Sequence, residues 1–188
     1  MWINKDIFIK HTLNYFELLT EYDMSIVANE VEECVRYESN NTWLEVWFDR
    51  HSLFVEMGEK AEGNELSLWD IVEYMSRNGK DVLFMASTEE KLIIGLNKLS
   101  QYVKDYCREA LYGDVEFFKR IRTSLAMQRQ QKSVMTKNRH IEGQAKDAWN
   151  RRDYKKVIDL YQTIKDNLTP VQKKRLIMSI RRINQECK

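Results

Sequence analysis

Two glutamates and an arginine are placed to form one row across a predicted β-sheet. A turn at residues 40–41 sets Arg36 opposite Glu45, and a second turn at residues 50–51 sets Glu45 opposite Glu56. Opposed carboxylates at this spacing could serve as acid and base, and a neighbouring arginine relieves their repulsion. The alternative is a solvated cross-strand ion pair, which contributes about 0.2–1 kcal/mol.

Three aromatic residues share this side of the predicted sheet and add a second possible role. Trp43, Trp47 and Phe54 would form an aromatic platform beside the charged row. Aromatic side chains with charges between them are typical of protein–protein interfaces, although a covering helix could equally hide them. The candidate partner-binding residues are Arg36, Trp43, Glu45, Trp47, Phe54 and Glu56.

The segment that positions these residues, 34–58, is predicted to be a three-stranded antiparallel meander. Alternation of side chains gives it a core face and a mixed face. The core face carries Val35, Tyr37, Leu44, Val46, Phe48, Leu53, Val55 and Met57. The mixed face carries Cys34, Arg36, Glu38, Trp43, Glu45, Trp47, Phe54 and Glu56. A slip of one residue would exchange the two faces, so the pattern itself predicts the register.

Helical spacing of apolar residues flanks the meander on both sides. Helices are expected over 4–20, from Ser67 to Asn78-Gly79, from Thr88 to Gly113, and onward from Asp114. They can cover the core face, which predicts an α+β fold. Residues 59–64 are interpreted as a polar loop, and the apolar run 82–86 is not expected to form a strand.

The composition changes after residue 125. Residues 126–138 are rich in Gln and Lys, and they predict either a solvated helix extension or a linker. The sequence therefore predicts an α+β domain over 1–125 and a helical module of three segments over 139–188. Asp153 caps the second of these segments, and Thr169-Pro170 begins the third.

Basic residues concentrate in this module, although the whole chain has a formal net charge of only +1. The candidate basic patch comprises Arg151, Arg152, Lys155, Lys173, Lys174 and Arg175. Such a patch could bind the phosphates of a nucleic acid or an acidic protein. The alternative is that these side chains are simply the solvated faces of the helices.

Motifs for catalysis or for metal and cofactor binding are not found in the sequence. The three histidines and three cysteines have no metal-ligand spacing, and no phosphate-binding or nucleophile motif occurs. We therefore expect a non-enzyme without cofactor or metal. An odd number of cysteines, and no predicted signal peptide or membrane span, favour a cytoplasmic location.

One segment of the C-terminal module resembles the helix–turn–helix of a tetratricopeptide-type repeat. The resemblance covers about one repeat and rests on Ala145, Ala148, Trp149, Asp153, Tyr154, Val157, Ile158 and Tyr161. It implies a helical hairpin. A single repeat does not make the peptide-binding groove of that family, so the alternative is a hairpin that packs on the rest of the chain.

Residues 5–113 are similar to a class of small bacterial proteins of unknown function, some of them immunity-type proteins of toxin systems. The similarity rests on an apolar first helix followed by residues 21–23, 35–39, 48–50 and a strand that ends at Gly58. It implies non-enzymatic binding of another protein and transfers no functional residue. The sequence therefore favours a protein-binding function, with a nucleic-acid-associated protein and an enzyme as alternatives.

Overall fold

The computed structural model describes residues 3–27, 33–61, 63–76 and 82–186. The chain divides into two compact units, Met1–Leu125 and Ala126–Lys188. The first unit contains α1 (Lys5–Tyr15), β1 (Ser25–Val27), β2 (Cys34–Glu38), β3 (Thr42–Asp49), β4 (Ser52–Glu59), β5 (Asn64–Ser67), α2 (Leu68–Ser76), β6 (Phe84–Met85), α3 (Glu89–Tyr106) and α4 (Arg108–Leu111). The helix α5 (Val115–Asn150) begins in this unit. The fold is α+β, as predicted.

The predicted meander of β2, β3 and β4 is confirmed, together with its register. Arg36 pairs with Glu45, and Glu45 pairs with Glu56, as the alternation of side chains required. The sheet is larger than predicted, because β1 extends it beside β2 and β5 extends it beside β4. All of these pairs are antiparallel.

Two predictions about the segments after the meander are wrong. The apolar run 82–86 contains the strand β6, which pairs with Ser52 and Leu53 of β4. The polar loop predicted over 59–64 is shorter, because β4 extends through Glu59 and β5 begins at Asn64. Strands of two and four residues are too short to show the alternation of apolar and polar residues that predicts a strand. They form because they pair with β4.

The two turns of the meander close in different ways, and the first does not use the positive φ that its two asparagines predicted. Asparagine tolerates positive φ, which favours a turn at residues 40–41. Neither Asn40 nor Asn41 has positive φ in the structure. Ser39 closes that turn instead: its N–H donates to the Thr42 carbonyl at 2.9 Å, and its hydroxyl accepts the Thr42 N–H at 3.2 Å. Positive φ occurs at Arg50 (46°) and His51 (76°), as in the tight turns that match strand twist.

The core of the first unit lies between the core face and the helices. Leu44, Val46 and Leu53 are completely buried. The helices α2 and α3 pack against β4, and α1 packs against α3. A methyl group at Gly95 of α3 would lie 2.9 Å from the Leu53 side chain, so glycine permits the close approach of helix and sheet.

The helices begin at the predicted caps but are more broken than predicted. Asn4, Thr88 and Asp114 each accept a hydrogen bond from a backbone N–H of the first turn. The helix expected over 4–20 ends at Tyr15 and is followed by a 3₁₀ turn, Glu17–Tyr22. The helix expected from Thr88 to Gly113 breaks at residue 107 into α3 and α4. The predicted stop at 78–79 lies outside the described residues.

The second unit is helical, and residues 126–138 belong to α5 rather than to an irregular linker. Two further helices follow, α6 (Tyr154–Gln162) and α7 (Pro170–Glu186), and they pack against each other. The core of this unit is formed by Ile141, Ala145, Ala148, Val157, Tyr161, Ile164 and Leu168. Among the described residues, no helix is both long enough and apolar enough to cross a membrane.

Candidate functional site

The mixed face brings its charged residues into one connected network. Arg36 lies at its centre and donates to two carboxylates: Nη1 to Glu45 Oε1 at 2.7 Å, and Nε to Glu38 Oε1 at 2.6 Å. The second oxygen of Glu38 is 2.5 Å from Lys60 Nζ. The hydrogen bonds from Lys60 and Arg36 hold the pKa of Glu38 below its usual value. The network fixes four side chains across two strands, β2 and β3, and the residue that follows β4.

The aromatic residues of the mixed face are attached to this network. The Arg36 guanidinium lies 4.9 Å from the centre of the Trp43 ring and covers it, so Trp43 is only 9% exposed. Trp47 Nε1 donates to Glu45 Oε2 at 3.0 Å. The Trp47 and Phe54 rings stack at 6.1 Å with an interplanar angle of 7°. Trp47 and Phe54 are half-buried, so the platform is ordered and reaches solvent.

Glu56 differs from the other carboxylates of the mixed face. It lies opposite Glu45 and beside Ser67 of β5. Among the residues that the structure describes, no cation or hydrogen-bond donor is paired with its carboxylate. Burial raises the pKa of Glu56, and the negative charges of Glu65 and Glu45 raise it further. Glu56 is thus a half-buried carboxylate without a counter-ion in the described part of the chain.

Glu45 and Glu56, the two glutamates predicted as a possible acid and base, differ in their ability to transfer a proton. Both oxygens of Glu45 are engaged, one by Arg36 and the other by Trp47. A proton-transfer role would therefore fall to Glu56, whose raised pKa suits an acid or base. Within the described ranges, no group of three His, Cys, Asp or Glu side chains is arranged to hold a metal ion.

Sequence reasoning left Glu38 and Lys60 out of the candidate site. Glu38 was placed on the mixed face, and its spacing of two from Arg36 on one strand is a signal that could have included it. Lys60 lies just beyond β4, where its N–H donates to the Asn41 carbonyl at 2.8 Å. That contact across the sheet end depends on the length of β4, which the sequence did not reveal.

The six residues of the candidate basic patch lie on three elements of the second unit. Arg151 and Arg152 occupy the turn between α5 and α6, Lys155 lies on α6, and residues 173–175 lie on α7. Five of them are exposed. Arg175 is half-buried and donates to Glu142 Oε1 at 3.1 Å, so it ties α7 to α5 within the unit.

Comparisons with protein-family models, with curated proteins and with solved structures gave no significant match. The resemblances to a tetratricopeptide-type hairpin and to immunity-type proteins therefore stay predictions.

Proposed function

We propose that this chain is a cytoplasmic, non-catalytic binding protein that docks another protein on its mixed face. An immunity-type role, in which the bound protein is a toxin, is the more specific form of the proposal. The observation that carries it is the ordered surface of stacked aromatics and paired charges around Arg36.

Pre-ordering of this surface supports binding. Association normally costs free energy for each long side chain that becomes fixed, about 0.5–1.5 kcal/mol. Here Arg36, Glu38 and Glu45 are already held by one another. Trp47 is held as well, by its hydrogen bond to Glu45 and its stacking on Phe54. Binding of a partner would therefore cost little further side-chain entropy, because folding already fixes these side chains.

The charges of the mixed face favour a basic partner. Four carboxylates, at Glu38, Glu45, Glu56 and Glu65, stand against two cations, Arg36 and Lys60. Residues 1–125 as a whole contain 23 Asp and Glu against 14 Lys and Arg, a formal net charge of −9. We infer that the partner brings a lysine or arginine to the Glu56 carboxylate, which has no cation among the described residues.

Site-specific crosslinking tests this proposal. A photo-reactive phenylalanine analogue at position 54 should capture one protein in cells of the source organism. Affinity for that protein, measured with purified components, should fall at least 10-fold in Trp47→Ala and in Glu56→Lys, because one removes the platform and the other reverses the charge. Binding should also weaken as the pH falls through the raised pKa of Glu56, because only the ionised carboxylate attracts a cation.

The first unit offers a matched control for each variant. Tyr112→Ala removes an exposed aromatic side chain elsewhere, and Glu116→Lys reverses an exposed charge on α5. Both should leave affinity unchanged. The proposal is wrong if no protein is captured at position 54, or if the captured protein binds all four variants equally.

A second candidate function rests on the charge of the second unit. Residues 126–188 contain 16 Lys and Arg against 6 Asp and Glu, a formal net charge of +10. A net charge of +1 for the whole chain conceals this asymmetry. A strongly basic helical unit favours binding of nucleic acid, with phosphate contacts supplying most of the affinity.

Filter binding of the full chain to a labelled single-stranded RNA or a DNA duplex tests the second candidate. Affinity should fall steeply with salt, and the double variant Lys173→Glu/Lys174→Glu should bind at least 10-fold more weakly at low salt, with a salt slope smaller by about 2. The control Lys119→Glu/Arg120→Glu changes the same charge in the first unit. No retention of either nucleic acid at low salt would rule the function out.

A further inference from the structure

An open groove of about 850 Å³ lies between α1 and the edge of the sheet. Its floor is apolar, because Phe16, Met24 and Tyr37 line it and are themselves buried. Its walls carry Leu13 of α1, which is 37% exposed, and Ile26 of β1, which is 57% exposed. The apolar surface of the core face therefore extends beyond the part that α1 covers, and at the groove it is exposed to solvent.

The strand β1 forms one edge of the sheet beside this groove. It ends the strand order, and among the described residues it pairs with β2 alone. Its three residues, Ser25, Ile26 and Val27, are all exposed. Edge strands are commonly protected by charged residues or proline, and β1 has neither. The strand is protected instead by its short length of three residues.

The register of β1 links the edge to the groove. Ile26 lies opposite Tyr37, so both side chains point to the core-face side of the sheet, where the groove lies. A further strand beside β1 would place every second side chain on that same side. Those side chains would enter the groove, while backbone groups of the new strand would pair with the edge of β1.

We propose that the groove between α1 and β1 binds an extended peptide segment of a partner protein, which adds to the sheet as a strand and inserts apolar side chains at alternate positions. In strand addition, backbone hydrogen bonds provide affinity, and pockets that accept alternate side chains provide selectivity. The groove volume is within the range of ligand sites and accommodates more than one side chain. A second copy of the chain is a poorer occupant, because its own β1 provides only three residues.

Selection from a random peptide library displayed on phage, with the full-length protein as bait, tests the proposal. Enriched peptides should carry apolar residues at positions i, i+2 and i+4. Synthetic versions of these peptides should bind at least 10-fold more weakly to Leu13→Lys and Ile26→Lys. They should also slow hydrogen exchange of the Ile26 amide. Ser25 and Val27 direct their backbone groups to Glu38 and Arg36 of β2, so the Ile26 N–H faces the open edge.

Leu83→Lys is the matched control, since Leu83 is 61% exposed and lies away from the groove. Peptide binding should be unchanged in this variant, and the mixed face should keep its partner in Leu13→Lys. The inference is overturned if no peptide is enriched, if enriched peptides lack the alternation, or if both groove variants bind them normally. A dimer that Ile26→Lys converts to a monomer would also overturn it, by making the occupant a second copy.

Discussion

Replacement of Arg122 by methionine should destabilise the first unit by about 3 kcal/mol. Arg122 Nη2 lies 2.8 Å from Oε1 of Glu59, whose side chain is only 3% exposed. The methionine side chain keeps much of the packing volume but leaves the carboxylate buried without this cation. A buried charge that loses a partner is compensated less well, so the loss of stability exceeds the contribution of the ion pair itself.

Urea unfolding followed by tryptophan fluorescence measures this effect, since four of the five tryptophans lie in residues 1–125. The double variant Glu59→Gln/Arg122→Met should recover most of the lost stability, because it removes the buried charge as well. Arg120→Met is the matched control. Its ion pair with Glu109 is about half exposed, so the change should be below about 1 kcal/mol. Equal unfolding of Arg122→Met and Arg120→Met would contradict the argument.

The buried pair also marks the limit of what the sequence could predict. The meander followed from local rules, because alternation of apolar and polar residues fixes both the register and the row of Arg36, Glu45 and Glu56. The contact between Glu59 and Arg122 joins residues 63 apart in the chain. It depends on how α5 packs over the end of β4, and no local pattern encodes that.

For the candidate site, too, the local pattern predicted which residues lie together but not how their side chains are connected. Its six mixed-face residues were predicted to share a surface, and the strand register places them together. Its connectivity was not predictable, because the rotamers that join Arg36 to Glu38 and Trp47 to Glu45 are decided by packing. The groove beside β1 was missed for a different reason: three residues, Ser25 to Val27, are too short to show a strand period.

Replacement of Arg36 by methionine should destabilise the first unit by about 2 kcal/mol at neutral pH. The change removes a donor from Glu38 and from Glu45, and it also uncovers Trp43. Glu38 then keeps its contact with Lys60, and Glu45 keeps the hydrogen bond from Trp47. Arg36→Lys should lie between the wild type and Arg36→Met, since lysine keeps the charge but loses the two-pronged geometry.

The pH dependence separates the electrostatic part of this effect from the packing part. Lys60 and Arg36 lower the pKa of Glu38 in the folded chain below its ordinary value of 4.5. A carboxylate with a lowered folded pKa contributes stability above its unfolded pKa, and that stability is lost as the pH falls through the folded pKa. The difference between wild type and Arg36→Met should therefore be largest near pH 7 and should shrink below about pH 4.5.

Glu56 has the opposite sign, because its raised pKa means that its ionised form costs stability and that protonation relieves the cost. That relief occurs in the wild type and in Arg36→Met alike, so it largely cancels in their difference. Urea titrations of both proteins between pH 3.5 and pH 7.5 provide the measurement. A difference that does not change across this range would show that Arg36 stabilises the sheet by covering Trp43. The ion pairs would then be dispensable for folding, and their remaining role would be recognition at the mixed face.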